Sequence, residues 1–156
     1  MNLNIGSPAP SFSANNQNGE TLTLSNFTGR KLVLYFYPKD DTPGCTKEAI
    51  GFSEERAAFE AQNAMVVGVS RDTVKKHDKF ISKYDLRIPL IADEDGSLCE
   101  AFDTWVEKQM YGKTYMGIER ATFLISPDGK VLHMWRKVKV PSHVEEVLAQ
   151  LQSFKS

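Results

Sequence analysis

A single cysteine, Cys45, stands at the end of a loop-forming segment, where a helix is expected to begin. Two prolines and a glycine within residues 38–44 turn the chain sharply between an apolar run and an amphipathic run. Backbone N–H groups in the first turn of a helix have no intrahelical partner, and the helix dipole favours an anion there. The pattern therefore predicts a nucleophilic thiolate at Cys45 that is accessible to a small oxidant.

A second source of positive charge is needed beside this thiol. One helix end stabilises an anion by at most about 1 kcal/mol at an exposed site, which is less than a thiolate requires at neutral pH. The charged residues near Cys45 in the sequence sum to minus one and are poor candidates: Lys39, Asp40, Asp41, Lys47 and Glu48. Arg120, which leads an apolar run over residues 121–125, is the best candidate, although a charge at a strand entrance is usually a surface charge.

The spacing of Pro38, Thr42 and Cys45, with a strand before them and Arg120 leading a later strand, resembles the active site of the peroxiredoxins. Residues 35–49 resemble the bacterioferritin comigratory protein, or peroxiredoxin Q, branch of that family, and the resemblance covers nearly all of the chain. It implies a thiol-dependent peroxidase that reduces hydrogen peroxide and organic hydroperoxides without a metal or an organic cofactor.

The resemblance also implies a role for each matching residue. Cys45 is expected to attack the terminal peroxide oxygen and to become a sulfenic acid. Thr42 is expected to orient the peroxide through its hydroxyl group, and Pro38 to shield the sulfur from water. Arg120 is expected to stabilise the thiolate and the charge on the leaving oxygen.

The sequence departs from its relatives at the resolving cysteine. One usual position is Ile50 in this chain, and the other lies on the helix expected over residues 73–84, which holds no cysteine. Cys99 is the only other sulfur able to form an internal disulfide, and it is also typical of a buried small hydrophobe, with Leu98 and Phe102 at core spacing. Three interpretations stay open: an external thiol resolves the sulfenic acid, Cys99 does so after local unfolding, or Ile50 is an engineered substitution.

Two other functions are compatible with a reactive Cys45. A thioredoxin-like disulfide oxidoreductase is disfavoured, because Thr42 stands where the first cysteine of a Cys-x-x-Cys motif would fall. A redox sensor or chaperone that uses Cys45 as a switch is not excluded. For the peroxidase, the expected partners are a peroxide and a reducing thiol, supplied by thioredoxin, glutaredoxin or glutathione, and a monomer is expected.

Composition sets the remaining limits. The 156 residues fit one domain over residues 1–156, and 41% hydrophobic with 25% charged residues is typical of a globular protein. The net charge of -1 gives no reason to expect nucleic acid or a membrane surface as a partner. Two cysteines without a disulfide framework, and no secretory signal at the N-terminus, predict a cytoplasmic location. The three histidines have no partner at metal-ligand spacing.

The order of predicted elements indicates an α/β protein with a thioredoxin-like fold, in which helices flank a central mixed sheet and a β-hairpin is added at the N-terminus. Strands are expected over residues 11–14, 21–24, 32–37, 65–70, 90–92, 121–125 and 130–136. Helices are expected over residues 46–61, 73–84 and 98–102, with a last one capped by Ser142 or His143. Residues 105–116 are expected to form a loop near the mouth of the site or an ordinary surface loop.

Overall fold

Alternating strands and helices build the molecule, which is described here by a computed structural model covering residues 3–154. Its strands are β1 (Ser13–Asn16), β2 (Thr21–Thr23), β3 (Lys31–Phe36), β4 (Ala64–Ser70), β5 (Leu90–Ala92), β6 (Trp105–Met110), β7 (Lys113–Ile118), β8 (Ala121–Ile125) and β9 (Val131–Trp135). Its α-helices are α1 (Pro43–Glu54), α2 (Arg56–Ala61), α3 (Val74–Tyr84), α4 (Ser97–Ala101) and α5 (His143–Gln152), and a single 3₁₀ turn spans Leu24–Phe27.

The central sheet contains seven strands in the order β2-β1-β5-β4-β3-β8-β9. Strand β3 runs parallel to β4 and antiparallel to β8, so the sheet is mixed. Every residue of β3 is buried, because helices cover both faces of the sheet at this strand. The sheet and its flanking helices have the mixed α/β architecture that the order of elements predicts.

The sheet separates two hydrophobic clusters. On one side, here called the α1 face, side chains of α1, α2, α3 and α5 pack against Tyr35 and its neighbours. On the other side, the α4 face, α4 and the 3₁₀ turn pack against Leu34 and Phe36. Successive residues of β3 point to opposite faces, so this one strand contributes to both clusters.

The N-terminal hairpin forms as the Asn18-Gly19 signal predicts, with Ala14 opposite Leu22. The C-terminal helix begins after Ser142, one of the two predicted caps. No helix within residues 3–154 is both long enough and apolar enough to cross a bilayer.

Two predicted elements differ in the structure. The helix expected over residues 46–61 is two helices, since α1 ends at Glu54 and α2 begins at Arg56. The break lets α1 pack against α5 while α2 packs against β4. The loop expected over residues 105–116 is instead an antiparallel hairpin of β6 and β7, closed by Tyr111 and Gly112 with φ of 52° and 76°.

Candidate active site

The local fold places Cys45 in the first turn of α1. Thr42 precedes the helix in an extended conformation, and its carbonyl accepts the first helical hydrogen bond from the N–H of Thr46 at 2.8 Å. Pro43 is the first helical residue, where its missing N–H removes no helical bond. Cys45 is only 1% exposed, because its side chain packs into the core of the α1 face and leaves little sulfur surface open to solvent.

Arg120 reaches this sulfur from the neighbouring strand. Because Ala121 of β8 pairs with Phe36 of β3, Arg120 lies at the end of β3 where the loop to α1 begins. Its Nη2 donates to Cys45 Sγ at 3.3 Å, and its Nη1 donates to the Glu48 carboxyl group at 2.6 Å. The planar guanidinium group therefore bridges the sulfur and a buried acid with two separate nitrogens.

Glu48 belongs to the site, although the local charge pattern of the sequence does not single it out. It lies three residues after Cys45, a spacing that puts both side chains on the same side of α1. Burial raises the pKa of Glu48 to about 7, against the lowering effect of Arg120, and its Oε2 has no hydrogen-bond partner within residues 3–154. Burial lowers the pKa of Arg120, but the charges of Glu48 and Cys45 outweigh it and raise that pKa above its usual value.

Thr42 and Pro38 lie on the loop that leads to this turn. Thr42 is half-buried, and its Oγ1 donates to the carbonyl of Lys39 at 2.9 Å. Pro38 is exposed and lines a groove that is also lined by residues of the β6–β7 hairpin. The structure therefore brings Cys45 and Arg120 into direct contact and puts Thr42 immediately before the helical turn that contains Cys45. Pro38 lies at the outer edge of the site.

The model of the AhpC/TSA family matches residues 5–134. The chain belongs to the AhpC/TSA family. The peroxiredoxin Bcp of Bacillus subtilis (strain 168) is 47% identical over 152 residues, which cover 97% of both chains.

Solved structures of peroxiredoxins match the fold of this AhpC/TSA protein. A structure of peroxiredoxin Q from Xanthomonas campestris gives a TM-score of 0.89 at 47% identity, covering 97% of this chain and 96% of that one. Peroxidoxin BcpB from Mycobacterium tuberculosis gives 0.87 at 33% identity, covering 99% and 100% of the two chains. The predicted resemblance to the peroxiredoxin Q branch is confirmed, and the enzyme class is that of thiol-dependent peroxidases.

The loop before the active-site turn of this AhpC/TSA protein is anchored by a buried network. Asp40 accepts hydrogen bonds from Tyr37 Oη at 2.5 Å and contacts His77 Nδ1 at 2.6 Å. His77 Nε2 donates to the carbonyl of Ile91 at 2.9 Å, and the Asp40 N–H donates to Asp72 Oδ2 at 2.9 Å. The network ties the loop to α3 and β5.

The histidines have no partner at metal-ligand spacing in the sequence, but the fold brings three candidate ligand atoms together from Asp40, Asp72 and His77, within 4.8 Å of one another. Protein hydrogen bonds engage each of these side chains, including one from Ser70 Oγ to Asp72 Oδ2 at 2.6 Å. These bonds account for the cluster as part of the loop anchor.

Cys99 lies apart from the active-site turn. It is fully buried in the α4 face, whereas Cys45 is buried in the α1 face, and both cysteines are free. Burial, with the charge of Asp93, raises the pKa of the Cys99 thiol well above its usual range, so it is protonated at neutral pH. Ile50, at the other expected resolving position, packs against the core that holds Cys45. The folded protein thus keeps the sheet between its two sulfur atoms.

Proposed function

We propose that Cys45 is the peroxidatic nucleophile of this peroxiredoxin. The observation that supports it most is the contact of Arg120 Nη2 with Cys45 Sγ at 3.3 Å, in the first turn of a helix. The thiolate attacks the terminal oxygen of a hydroperoxide, the O–O bond breaks, and the products are a sulfenic acid and water or an alcohol.

The substrates proposed are hydrogen peroxide and organic hydroperoxides. One matched structure is that of the Xanthomonas campestris bacterioferritin comigratory protein, which is 46% identical to this chain. That protein is described as having alkyl peroxide reduction activity. The low exposure of Cys45 favours a small peroxide over bulky electrophiles, because little sulfur surface is open to solvent.

The neighbouring residues are proposed to act on the peroxide as follows. Arg120 stabilises the thiolate and the charge that develops on the departing oxygen, since its Nη2 already donates to the sulfur. Thr42 exchanges its bond to the Lys39 carbonyl for a bond to the peroxide. Pro38, being exposed, shields the sulfur only as an outer wall of the approach.

An external thiol is proposed to reduce the sulfenic acid, because Cys99 is buried on the opposite face of the sheet and Ile50 is not a thiol. Thioredoxin, glutaredoxin or glutathione would serve, in a reducing compartment such as the cytoplasm, to which two free cysteines are suited. A monomer suffices for this scheme, since all four proposed residues come from one chain.

A peroxide-consumption assay tests the proposal. With a thiol donor in excess, we expect many turnovers per protein, loss of activity in Cys45→Ser, and a sulfenic acid on Cys45 that a trapping reagent captures for mass analysis. Consumption that stops at one equivalent of peroxide would instead identify a redox sensor.

A further inference from the structure

A basic groove of about 330 Å³ lies between α3 and the loop that precedes the active-site turn. We call it the α3 groove, and its lining residues are Lys39, Asp40, Asp41, Asp72, Lys76, Lys79, Phe80 and Lys83. Residues 39–41 form its loop side, and α3 with Asp72 forms the other. Neither the proposed peroxide reaction nor the loop anchor uses the lysines of this groove.

The acids of the α3 groove are already satisfied within the protein. Asp40 is held by Tyr37 and His77. Asp72 accepts from Ser70 and from the Asp40 N–H. These two carboxyl groups therefore have no need of the lysines as partners.

The remaining acid uses one lysine and leaves the others unpaired. Asp41 pairs with Lys83 at 2.7 Å and accepts from Tyr84 Oη. Lys39, Lys76 and Lys79 are exposed and form no ion pair with any residue in the range 3–154. The four lysines of the groove exceed its three acids by one positive charge, and the three ammonium groups without an ion pair surround one concave surface, which favours an anionic ligand.

The groove also lies on the correct side of the sheet to serve Cys45. Phe80, at its floor, belongs to the same hydrophobic cluster as Cys45, and the Tyr37 ring contacts Phe80 with centroids 6.5 Å apart. The loop side of the groove is continuous in sequence with Thr42 and the first turn of α1. A molecule bound there would lie against the loop that leads into the turn carrying Cys45.

We infer that the α3 groove binds a small anionic thiol, one that carries carboxylate groups, and presents it to oxidised Cys45. This inference rests on the proposed peroxidase function, which leaves the sulfenic acid to an external reductant. A volume of about 330 Å³ suits a molecule of small-ligand size and is too small for a protein domain. The unpaired lysines would bind its carboxylates, while its sulfur faces the loop.

Two thiol molecules return the sulfenic acid of Cys45 to a thiol, in two steps. The first thiol sulfur forms a bond to Cys45 Sγ as the S–O bond of the sulfenic acid breaks, and the hydroxyl group leaves as water with the thiol proton. A second thiol then attacks the bound thiol's sulfur, which gives a small-molecule disulfide and returns Cys45 to its reduced form.

Two small thiols of different charge test this inference. Mercaptosuccinate carries two carboxylates and 2-mercaptoethanol carries none, and each is allowed to reduce peroxide-oxidised protein while intact mass analysis follows the loss of the sulfenic acid and the mixed disulfide. The measured quantity is the second-order rate constant for mercaptosuccinate divided by that for 2-mercaptoethanol. A variant that damages the site in general slows both reactions alike and leaves this ratio unchanged. We expect Lys76→Glu/Lys79→Glu to lower this ratio about tenfold.

The matched control is Lys113→Glu/Lys130→Glu, which makes the same change in net charge at two exposed residues outside the α3 groove. We expect this control to keep the wild-type ratio. An unchanged ratio in the groove variant, or an equal fall in the control, would overturn the inference. Failure of the unmodified protein to form any sulfenic acid at Cys45 would instead remove the proposed function itself, so the two failures are distinguishable.

Discussion

Arg120 contacts two groups at once, and this geometry makes it the most informative residue to change. A lysine ammonium group at the same position reaches either Cys45 or Glu48 but does not bridge them as a planar fork does. We expect Arg120→Lys to slow the second-order reaction with hydrogen peroxide by about 10²-fold, the usual effect of losing a preorganised donor. Stopped-flow measurement of Cys45 oxidation checks this value.

Arg136→Lys is the matched control for Arg120→Lys. Arg136 is also partly buried and paired, in its case with Glu119 at 2.9 Å, and it donates further hydrogen bonds to the carbonyls of Phe102 and Asp103. We expect the peroxide reaction of this variant to keep the wild-type rate. Equal rates for all three proteins would exclude Arg120 from the mechanism.

Glu48 makes stability depend on pH in a predictable direction. Its pKa is about 7 in the folded protein against 4.5 in the unfolded chain, so the folded state holds the proton longer. The free energy of unfolding therefore falls as pH rises from about 4.5 through 7, by about 3 kcal/mol for this one group. Glu48→Gln does not titrate, and we expect the variant to lack this fall in denaturant titrations at pH 5 and pH 8.

His143 makes the free energy of unfolding depend on pH in the opposite direction. Its contribution must therefore cancel when the wild type is compared with Glu48→Gln. Burial, with the charge of Arg120, lowers its pKa to about 4, so stability from His143 is lost as pH falls below 6.5. Both proteins contain His143, and the difference between their unfolding free energies isolates Glu48. Parallel pH profiles for wild type and variant would contradict the assignment of the proton to Glu48.

Most residues of the candidate site could be predicted from the sequence. Cys45, Thr42 and Arg120 were predicted from turn chemistry, helix position and the resemblance, and the fold brings Cys45 and Arg120 together. Glu48 was missed because the charges near Cys45 were summed as if all were equally solvated. Burial decides which of those charges matter, and a local sequence does not say that Glu48 is 1% exposed.

At the scale of elements, the close packing of β3 against β4 and β5 depends on Gly68. A Cβ added there would lie 2.8 Å from Tyr35 Cζ and 2.8 Å from Leu90 Cδ2, closer than real side chains approach. We expect Gly68→Ala to lower the free energy of unfolding by about 1 to 3 kcal/mol, the usual cost of overpacking a core. Urea unfolding monitored by fluorescence measures the loss.

Tyr35→Phe provides the partner variant for this test. The Tyr35 hydroxyl is buried without a hydrogen-bond partner within residues 3–154, and it lies 2.9 Å from the added Cβ. Removing it should be neutral or stabilising by about 1 kcal/mol, and should reduce the loss caused by Gly68→Ala. An identical loss in both backgrounds would show that Leu90 Cδ2 and the ring carbon Cζ, which phenylalanine retains, set the clash without the hydroxyl group.

The elements that were not predicted depend on features that local sequence patterns do not contain. The β6–β7 hairpin has most of its side chains exposed or half-buried, so no alternation of apolar and polar residues indicates its strands. Tyr111 adopts a positive φ, which turn propensities assign to glycine or asparagine. The break between α1 and α2 is set by two different packing partners, α5 and β4, and such long-range contacts are absent from helical periodicity.

At the scale of the whole molecule, the central sheet separates the two cysteines. Cys45 and Cys99 are buried on opposite faces of the same sheet, and strands β3 and β8, paired along five residues, run between the clusters. A disulfide requires Cα atoms within about 7 Å with suitably directed side chains, so the pair would need extensive unfolding of the core.

Cys99→Ala tests this separation. The variant should keep the wild-type rate of peroxide turnover with an external thiol, since Cys99 lies on the opposite face of the sheet from Cys45, and should lose only about 1 kcal/mol of stability from the deleted buried sulfur. Peroxide turnover and urea unfolding measure the two effects, and nonreducing mass analysis of the wild-type protein after one equivalent of peroxide completes the test. An abundant Cys45–Cys99 disulfide, or a turnover that collapses without Cys99, would mean that the core opens far enough during catalysis to pass one sulfur to the other face.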